Sequence, residues 1–290
     1  MAPLITGYQS WAGLPFLVRP LCLDEARNNA NPINFLCCGP QARREDSKIL
    51  LTPLGLQLRI HPDRKPFLFP EATAEELALC QKYRPYTRTR EHRQWTLLKA
   101  VEYVDRQHIA GDIVECGVWR GGNVMMVKEA RRDSAIARRL WLFDTFAGMA
   151  PPGQYDFGND GNNAEHYYEA HRKANHIDWC YASLQEVTGY FREHRLLGDD
   201  VVFRQGMVEN TLRSEVLPDQ IAILRLDTVF YDSTKAELEV LFPRLSSGGV
   251  LIVDDYGDWL GVRKAVGEYF AESGPLFLPI DSSCRMAIKM

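Results

Sequence analysis

The sequence predicts an α/β fold built around a doubly wound, mostly parallel β-sheet. Short, uninterrupted apolar runs rich in β-branched residues alternate with segments whose apolar residues recur at helical spacing. Such runs are typical of strands that helices cover on both faces. Strands that alternate with helices indicate right-handed crossovers, which bring the carboxyl ends of the strands to one edge of the sheet, where ligands bind.

We predict two parts with a division near residue 85. Residues 1–85 form an N-terminal extension or cap whose fold the sequence does not specify, and residues 86–290 form the main domain. Within the extension, apolar residues alternate with Gly or polar residues over positions 54–60, which predicts a half-buried strand. A helix is predicted over residues 73–82.

The main domain starts with a helix and continues through five predicted strands. Trp95, Leu98, Val101 and Val104 fall on one face of that helix, and Gly111 ends it. The predicted strands cover residues 113–114, 140–143, 201–203, 221–226 and 250–253.

Two further helices and a hairpin complete the main domain. Thr234 and Glu237 form a capping-box pattern at the start of a helix that residues 246–249, Ser-Ser-Gly-Gly, would end. A second apolar helical face spans residues 262–270. Residues 276–289, interrupted by a polar turn, predict a C-terminal β-hairpin.

Composition and charge exclude several classes of protein. The 290 residues carry 34 Lys and Arg against 38 Asp and Glu, a net charge of −4, and 46% are hydrophobic, which is ordinary globular usage. This mild acidity argues against a nucleic-acid partner. The apolar runs are too short to span a membrane, and the first residues lack a signal-peptide pattern. Seven cysteines, an odd number without a CxxC pair, predict a reduced, cytoplasmic protein.

Acidic residues follow four of the predicted strands. Glu115, Asp144 and Asp227 each end one strand, and Asp254 and Asp255 end the last. A single acidic residue after a strand is usually a solvated turn or a helix cap, but a parallel sheet gathers four such endings at one edge. Clustered carboxylates raise one another's pKa unless a cation or hydroxyl donors lie between them.

A glycine-rich turn, ECGVWRGGN at residues 115–123, follows the first of these strands. Its glycines let the backbone approach a ligand closely, although a tight strand-to-helix turn would need them too. Asp144, at the end of the second strand, is suited to accept hydrogen bonds from two ribose hydroxyls. Together these features predict a nucleoside-containing cofactor, without distinguishing a dinucleotide from S-adenosylmethionine.

Residues 86–270 resemble a known family. The resemblance rests on four segments: DIVECGVWRGGN, LWLFDTFAGM, LRLDTVFYDSTKAELEVLFPRLSSGG and VLIVDDYGDWLGVRKAVGEYF. They are similar to the macrocin O-methyltransferase family, metal-dependent enzymes that use S-adenosylmethionine to methylate sugar hydroxyls of natural products. The resemblance implies a Rossmann-like class I methyltransferase fold, a small-molecule acceptor such as a glycoside, polyol or catechol, and a homo-oligomer. It does not cover residues 1–80.

The resemblance also implies which residues contact the cofactor. These residues surround the methionine half, the ribose or the adenine of the cofactor, or belong to the lid over the cofactor. They are Thr87, Thr89, Glu115, Gly117, Gly121, Asp144, Thr145, Ser183, Gly206, Met207 and Asp227.

Three carboxylates match the metal ligands of the family, namely Asp227, Asp254 and Asp255. The resemblance implies that they hold Mg²⁺ or a similar divalent ion. The residue types support this independently, because an all-oxygen cluster without nearby His or Cys suits a hard cation.

The sequence departs from the family pattern at the catalytic base. The family carries an aspartate two residues after the first metal ligand, and Val229 stands at this position, where it neither accepts a proton nor binds an ion. A missing general base costs about 10²–10⁴ in rate, or roughly 3–5 kcal/mol. Three explanations stay open. Another residue of the chain is the base, the acceptor is acidic enough to react without a base, or the chain is an impaired variant that still binds the cofactor. Candidates for a replacement base are His166, His171, Asp232 and Asp258.

The sequence therefore predicts an S-adenosylmethionine-dependent O-methyltransferase that acts on a hydroxyl of a sugar or other polyhydroxylated natural product, with a divalent metal that orients the acceptor. Two alternatives stay open at this point. One is a catalytically impaired, cofactor-binding member of the same family. The other is a nucleotide-dependent oxidoreductase, because a glycine-rich turn and a ribose-binding acid occur there too.

Overall fold

The computed structural model describes residues 48–51, 56–59, 69–214 and 216–290. The chain divides into two compact units between Lys65 and Pro66. In the first unit, strand β1 (Lys48–Leu51) pairs antiparallel with strand β2 (Leu56–Arg59), which lies inside the predicted strand. The first residues, which lack a signal-peptide pattern, lie outside the described residues.

Helices and strands alternate in the described part of the second unit. They are α1 (Ala74–Tyr83), α2 (Glu91–Arg106), β3 (Asp112–Cys116), α3 (Gly122–Ala130), β4 (Leu140–Asp144), α4 (Ala164–Ala170), α5 (Leu184–Glu193), β5 (Val201–Gln205), α6 (Val208–Ser214), β6 (Ile221–Leu226), α7 (Tyr231–Leu241), β7 (Leu245–Val253), α8 (Leu260–Tyr269), β8 (Leu278–Pro279) and β9 (Arg285–Ile288). Among the described residues, no helix combines the length and the apolar character that crossing a bilayer requires.

Seven strands form one sheet in the order β5-β4-β3-β6-β7-β9-β8. Strands β3 to β7 run parallel, β9 is antiparallel to β7, and β8 and β9 form the C-terminal hairpin. Successive residues point to opposite faces of the sheet. Ile113 belongs to a core shared with α2 and α3, whereas Val114 belongs to a core shared with α7 and α8. The predicted doubly wound, mostly parallel α/β fold is therefore confirmed.

Helix α1 belongs to the second compact unit, although the predicted extension includes it. Thr73 caps the helix through a capping box with Glu76. Tyr83 is fully buried, and its hydroxyl donates a hydrogen bond to Glu129 of α3. The domain boundary near residue 85 stays a prediction, while the compact unit begins at Pro66.

The start of α7 differs from the prediction. The helix begins at Tyr231, so Thr234 and Glu237 lie inside it and form no capping box. Asp156, from a distant loop, accepts a hydrogen bond from the Tyr231 N–H at 2.8 Å. This tertiary contact satisfies one of the free amides that a local cap would otherwise satisfy.

The end of α7 also differs from the prediction. The helix ends at Leu241 and passes into a short 3₁₀ turn, Phe242–Arg244. Pro243 at its second position cannot continue the α-helical hydrogen bonds. Residues 246–249 lie within β7 and do not end the helix.

The parallel strands place their carboxyl ends side by side. Cys116 is paired with Phe143 on β4 and with Leu226 on β6, and Leu226 is paired with Val253 on β7. The ladder continues for one residue, because the Asp227 N–H donates to the Cys116 carbonyl at 2.8 Å. The residues that follow these strands therefore meet at one edge of the sheet.

Gly111, before β3, lies against the strand β6 region and offers a stability test away from this edge. Its φ is +116°, and a Cβ there would lie 2.6 Å from backbone atoms of Gln220 and Ile221. We expect Gly111→Ala to lower the free energy of unfolding by about 2–4 kcal/mol, through backbone strain and steric overlap. Urea unfolding followed by circular dichroism measures this change.

Gly189→Ala is the matched control. A Cβ at Gly189, inside α5, meets no atom within 4 Å. Because alanine favours a helix over glycine, this variant should gain about 0.5–1 kcal/mol. No loss of stability in Gly111→Ala would contradict the packing described for Gly111, and a loss in Gly189→Ala would contradict the open space described at Gly189.

Candidate active site

Glu115, the last residue but one of β3, is a buried carboxylate with 3% of its surface exposed. The Asn123 side-chain amide donates a hydrogen bond to it at 2.9 Å, and Arg225 forms an ion pair with it. Burial raises the pKa of Glu115, while the charge of Arg225 and the hydrogen bond from Asn123 oppose that rise. The side chain is therefore fixed in place at the centre of the sheet edge.

The glycines of the following turn are required by packing. Gly117 has a φ of +80°, and a Cβ there would lie 2.2 Å from the Asp227 carbonyl oxygen. Gly121, the N-cap of α3, has a φ of +76°, and a Cβ would lie 2.7 Å from the Phe191 ring. Only glycine adopts this backbone without strain and leaves this space.

Asp144 shapes the same turn from the end of β4. Its Oδ2 accepts hydrogen bonds from the N–H groups of Val118, at 2.8 Å, and Trp119, at 3.0 Å. Its Oδ1 accepts one from the Phe146 N–H at 2.8 Å. Burial raises the pKa of Asp144, and these three hydrogen bonds oppose the rise. The Thr145 hydroxyl lies 3.5 Å from Oδ1, at the fourth of the roughly four acceptor positions that a carboxylate offers.

The residues expected near adenine lie on two segments. Ser183 is the N-cap of α5 and forms a capping box with Glu186. Gly206, with a φ of +141°, follows β5, and its N–H donates to the Asp144 carbonyl at 2.9 Å. Thr145, Gly206 and Met207 line a cavity of about 430 Å³ together with Tyr168 and other residues. Ser183 lies outside that lining.

Thr87 and Thr89 lie beside Glu115 and are both buried. The Thr89 hydroxyl accepts hydrogen bonds from the Asn123 amide and from Arg225, each at 2.9 Å. The Thr89 N–H donates to the Thr87 hydroxyl at 3.0 Å. The segment before α2 is thus attached directly to the sheet edge.

The structure brings Asp227, Asp254 and Asp255 together. One carboxylate oxygen of each lies within 4.8 Å of the others. Burial and the charge of Asp254 raise the pKa of Asp255 to about 7, although Arg93 and Arg225 oppose this. Three carboxylates in such proximity, with only oxygen donors, fit a hard divalent cation.

Asp254 is also held by two arginines. Its Oδ1 pairs with Arg93 of α2, and its Oδ2 pairs with Arg225 of β6. The Arg93 Nε also donates to Asp281, in the turn between β8 and β9, at 2.7 Å. A divalent ion at this position would therefore share Asp254 with two guanidinium groups.

Arg225 is the central residue that the sequence reasoning missed. Its side chain is 2% exposed and pairs with Glu115, Asp227 and Asp254. The sequence does contain an indication of this role, because Arg225 is the one charged residue in the apolar strand IAILRL. A buried charge is retained only where partners compensate it.

Cys180 lies on the segment between α4 and α5. It has a φ of +54°, and the charges of Asp144, Asp227 and Asp255 all act on its thiol. Burial raises the pKa of Cys180 to about 12, which keeps the thiol protonated at neutral pH. The thiol is therefore a neutral group within electrostatic range of these carboxylates.

Val229 occupies a strained backbone position. Its φ is +77°, in the left-handed region that β-branched residues avoid. Such a conformation costs about 1–3 kcal/mol, whereas glycine, asparagine and aspartate tolerate it better. The side chain is partly exposed at the end of β6.

The candidates for a replacement base are not equally placed. The exposed Asp258 lies close enough to the triad for its charge to raise the pKa of Asp255. His166 is exposed on α4, and no contact among the described residues joins it to the strand-end carboxylates. His171 Nδ1 lies 2.7 Å from the Tyr167 carbonyl, and Asp232 is exposed in the first turn of α7.

Curated relatives match part of the chain. Demethyldecarbamoylnovobiocin O-methyltransferase of Streptomyces niveus is 35% identical over 175 residues, which are 60% of this chain and 63% of that protein. The 8-demethyl-8-(2,3-dimethoxy-alpha-L-rhamnosyl)-tetracenomycin-C 4'-O-methyltransferase of Streptomyces olivaceus is 36% identical over 175 residues, with the same coverage of 60% and 63%. The match thus spans less than two thirds of the length of these relatives.

Solved structures share the fold. The O-methyltransferase NovP is 31% identical, with a TM-score of 0.61 over 70% of this chain and 82% of that chain. The calicheamicin methyltransferase CalS11 is 19% identical, with a TM-score of 0.51 over 75% of this chain and 93% of that chain. The fold is therefore that of Rossmann-like class I methyltransferases, as predicted.

A family model supplies the assignment. The model of macrocin O-methyltransferase (TylF) matches residues 74–282, which is more than half of the chain and includes every strand of the large sheet up to β8. This match and the strand-end residues agree with the resemblance noted in the sequence. The chain belongs to the macrocin O-methyltransferase family.

Proposed function

We propose that this protein transfers a methyl group from S-adenosylmethionine to a hydroxyl of a sugar or other polyhydroxylated natural product, with a divalent metal ion such as Mg²⁺ that orients the acceptor. The observation that carries this proposal is the convergence of Asp227, Asp254 and Asp255 within 4.8 Å at the sheet edge that also bears Glu115 and Asp144. Family membership supports the reaction, and the names of the relatives, which methylate novobiocin and rhamnosyl-tetracenomycin precursors, support the acceptor class.

The cofactor would lie across the turn between β3 and α3. Glu115 and the glycines of this turn would contact its methionine half, and Asp144 would accept hydrogen bonds from its ribose. S-adenosylmethionine, when bound, supplies a methyl group on a positively charged sulfur. The turn would aim that methyl group at an acceptor hydroxyl beside the neighbouring carboxylates, and alignment of this kind is a large part of catalysis.

The acceptor hydroxyl would lie beside Asp227, Asp254 and Asp255. A divalent ion held by these residues would lower the pKa of the hydroxyl. In the transfer, the acceptor oxygen forms a bond to the methyl carbon, the carbon–sulfur bond breaks, and the hydroxyl proton passes to a base. Among the candidate bases, Asp258 has the most favourable position, because it is exposed and its charge acts on Asp255.

The impaired-variant alternative rests on Val229. A valine at the position of the family's base, held in a strained backbone conformation, is compatible with loss of turnover and retention of cofactor binding. The homo-oligomeric state and the cytoplasmic location stay predictions.

Calorimetry tests the class of cofactor. We expect S-adenosylmethionine and S-adenosylhomocysteine to bind with a stoichiometry of about one per chain, and NAD to give no heat, because the site is proposed for a sulfonium nucleoside. Asp144→Asn should weaken the binding of both S-adenosyl ligands by about tenfold, the value of one charge-assisted hydrogen bond. Binding of NAD alone would favour the oxidoreductase instead.

Asp255→Asn tests the metal site. It removes one proposed ligand without releasing Arg93 or Arg225, which pair with Asp254. We expect Mn²⁺ affinity, measured by electron paramagnetic resonance, to fall by about 10–100-fold, while S-adenosylhomocysteine affinity in EDTA stays within about twofold. Asp254→Ala is the less selective variant, since it also removes a carboxylate partner from two buried arginines. Unchanged Mn²⁺ affinity in Asp255→Asn would remove Asp255 from the metal site.

Val229→Asp tests the missing base. We expect turnover on a glycosylated acceptor to rise by about 10²-fold or more, since a positioned base contributes this much. Val229→Gly is the control, because it relieves the same backbone strain without adding a proton acceptor. Both variants should unfold at higher urea concentration than the parent. Equal turnover in the two variants would contradict the lost-base interpretation.

A further inference from the structure

The guanidinium group of Arg225 divides its hydrogen bonds between two sides of the site. Nη1 donates to Glu115 and, at 2.8 Å, to Asp227. Nη2 donates to Thr89, at 2.9 Å, and to Asp254. Each terminal nitrogen therefore contacts one residue of the proposed cofactor side and one carboxylate of the proposed metal side.

Arg93 provides a contrast in the same region. It contacts Asp254 and Asp281 but neither Glu115 nor Thr89 among its described partners. Its side chain is also largely buried, at 11% exposure, and both arginines pair with the same aspartate. The two arginines thus differ chiefly in whether they reach the cofactor side.

We propose that Arg225 is a positioning residue that couples the cofactor and metal half-sites, so that binding of a divalent cation strengthens binding of the cofactor. This inference rests on the proposed function. A cation held by the triad would attract the Asp227 and Asp254 oxygens that accept hydrogen bonds from Arg225. The guanidinium would then donate fully to Glu115 and Thr89 and would fix them in the geometry that the cofactor requires.

The geometry of arginine is necessary for this coupling. A planar guanidinium presents several N–H donors in fixed directions and reaches all four acceptors at once, whereas a lysine ammonium on a flexible stem keeps the charge without the fork. The coupling should therefore depend on the shape of the residue at position 225 and not on its charge alone.

S-adenosylhomocysteine is the suitable probe, because its amino acid group is zwitterionic and carries no net charge, which keeps the direct electrostatic effect of the metal small. Its Kd is measured by calorimetry in EDTA and at saturating Mg²⁺. The ratio of the two values reports the coupling, which is reciprocal by thermodynamic necessity. In the parent protein we expect the Kd to fall by about fivefold or more with Mg²⁺.

Three lysine variants separate positioning from structural support. In Arg225→Lys the ratio should fall below about twofold, whatever the change in either Kd alone. In Arg93→Lys the Mg²⁺ affinity should change while the ratio is kept. Arg138→Lys is the control, because Arg138 is buried at 1% exposure and pairs with Asp105 away from the strand carboxyl ends. It should alter neither affinity nor ratio.

Thr89→Val and Thr89→Ser provide a second test that does not depend on the folding of Arg225→Lys. Valine removes the acceptor of Nη2 on the cofactor side, so the ratio should fall, and serine restores the hydroxyl, so the ratio should return. A parent protein that binds both ligands with a ratio of one, or an Arg225→Lys variant that keeps the parent ratio, would overturn the inference and leave the proposed function intact. A parent protein that binds no S-adenosylhomocysteine would instead contradict the proposed function.

Discussion

One buried guanidinium holds carboxylates from three adjacent strands together. Arg225 on β6 pairs with Glu115 at the end of β3 and with the aspartates that follow β6 and β7. Without a cation in their midst, these acids would repel one another in a region of low dielectric, and breaking a buried pair of this kind typically costs about 3–5 kcal/mol. The backbone ladder brings the strand ends together, and this positive charge stabilises the close approach of their carboxylates.

Much of this edge could be predicted from sequence, because its elements are local. Apolar runs identify the strands, parallel topology brings their ends together, and the acids that follow are visible in the text. The partners of those acids are not local. Arg225 lies 110 positions from Glu115, and Asp156 lies 75 positions from the Tyr231 amide that it caps. The pattern around Thr234 predicted a cap that this distant carboxylate replaces.

Backbone strain is the other feature that residue patterns did not predict. Non-glycine residues with positive φ follow four of the parallel strands, namely Trp119, Phe146, Val229 and Asp255. Strain of this kind persists where surrounding structure over-determines the conformation, and it is concentrated at functional sites. At position 229 the conformation itself suits aspartate better than valine, independently of any proton transfer. A substitution that changes the chemistry of this turn therefore also changes its conformational energy.

The hydrogen bond between Asp156 and the Tyr231 amide links a surface loop to the first turn of α7. The same loop bonds to the segment after β7, where the Asn159 N–H donates to the Asp258 carbonyl at 2.7 Å. Any outward swing of this loop would leave the Tyr231 N–H without its acceptor, at about the free energy of a lost N-cap, 0.5–2 kcal/mol. Entry of a bulky molecule past the loop would therefore be accompanied by fraying of the helix that begins four residues beyond Asp227.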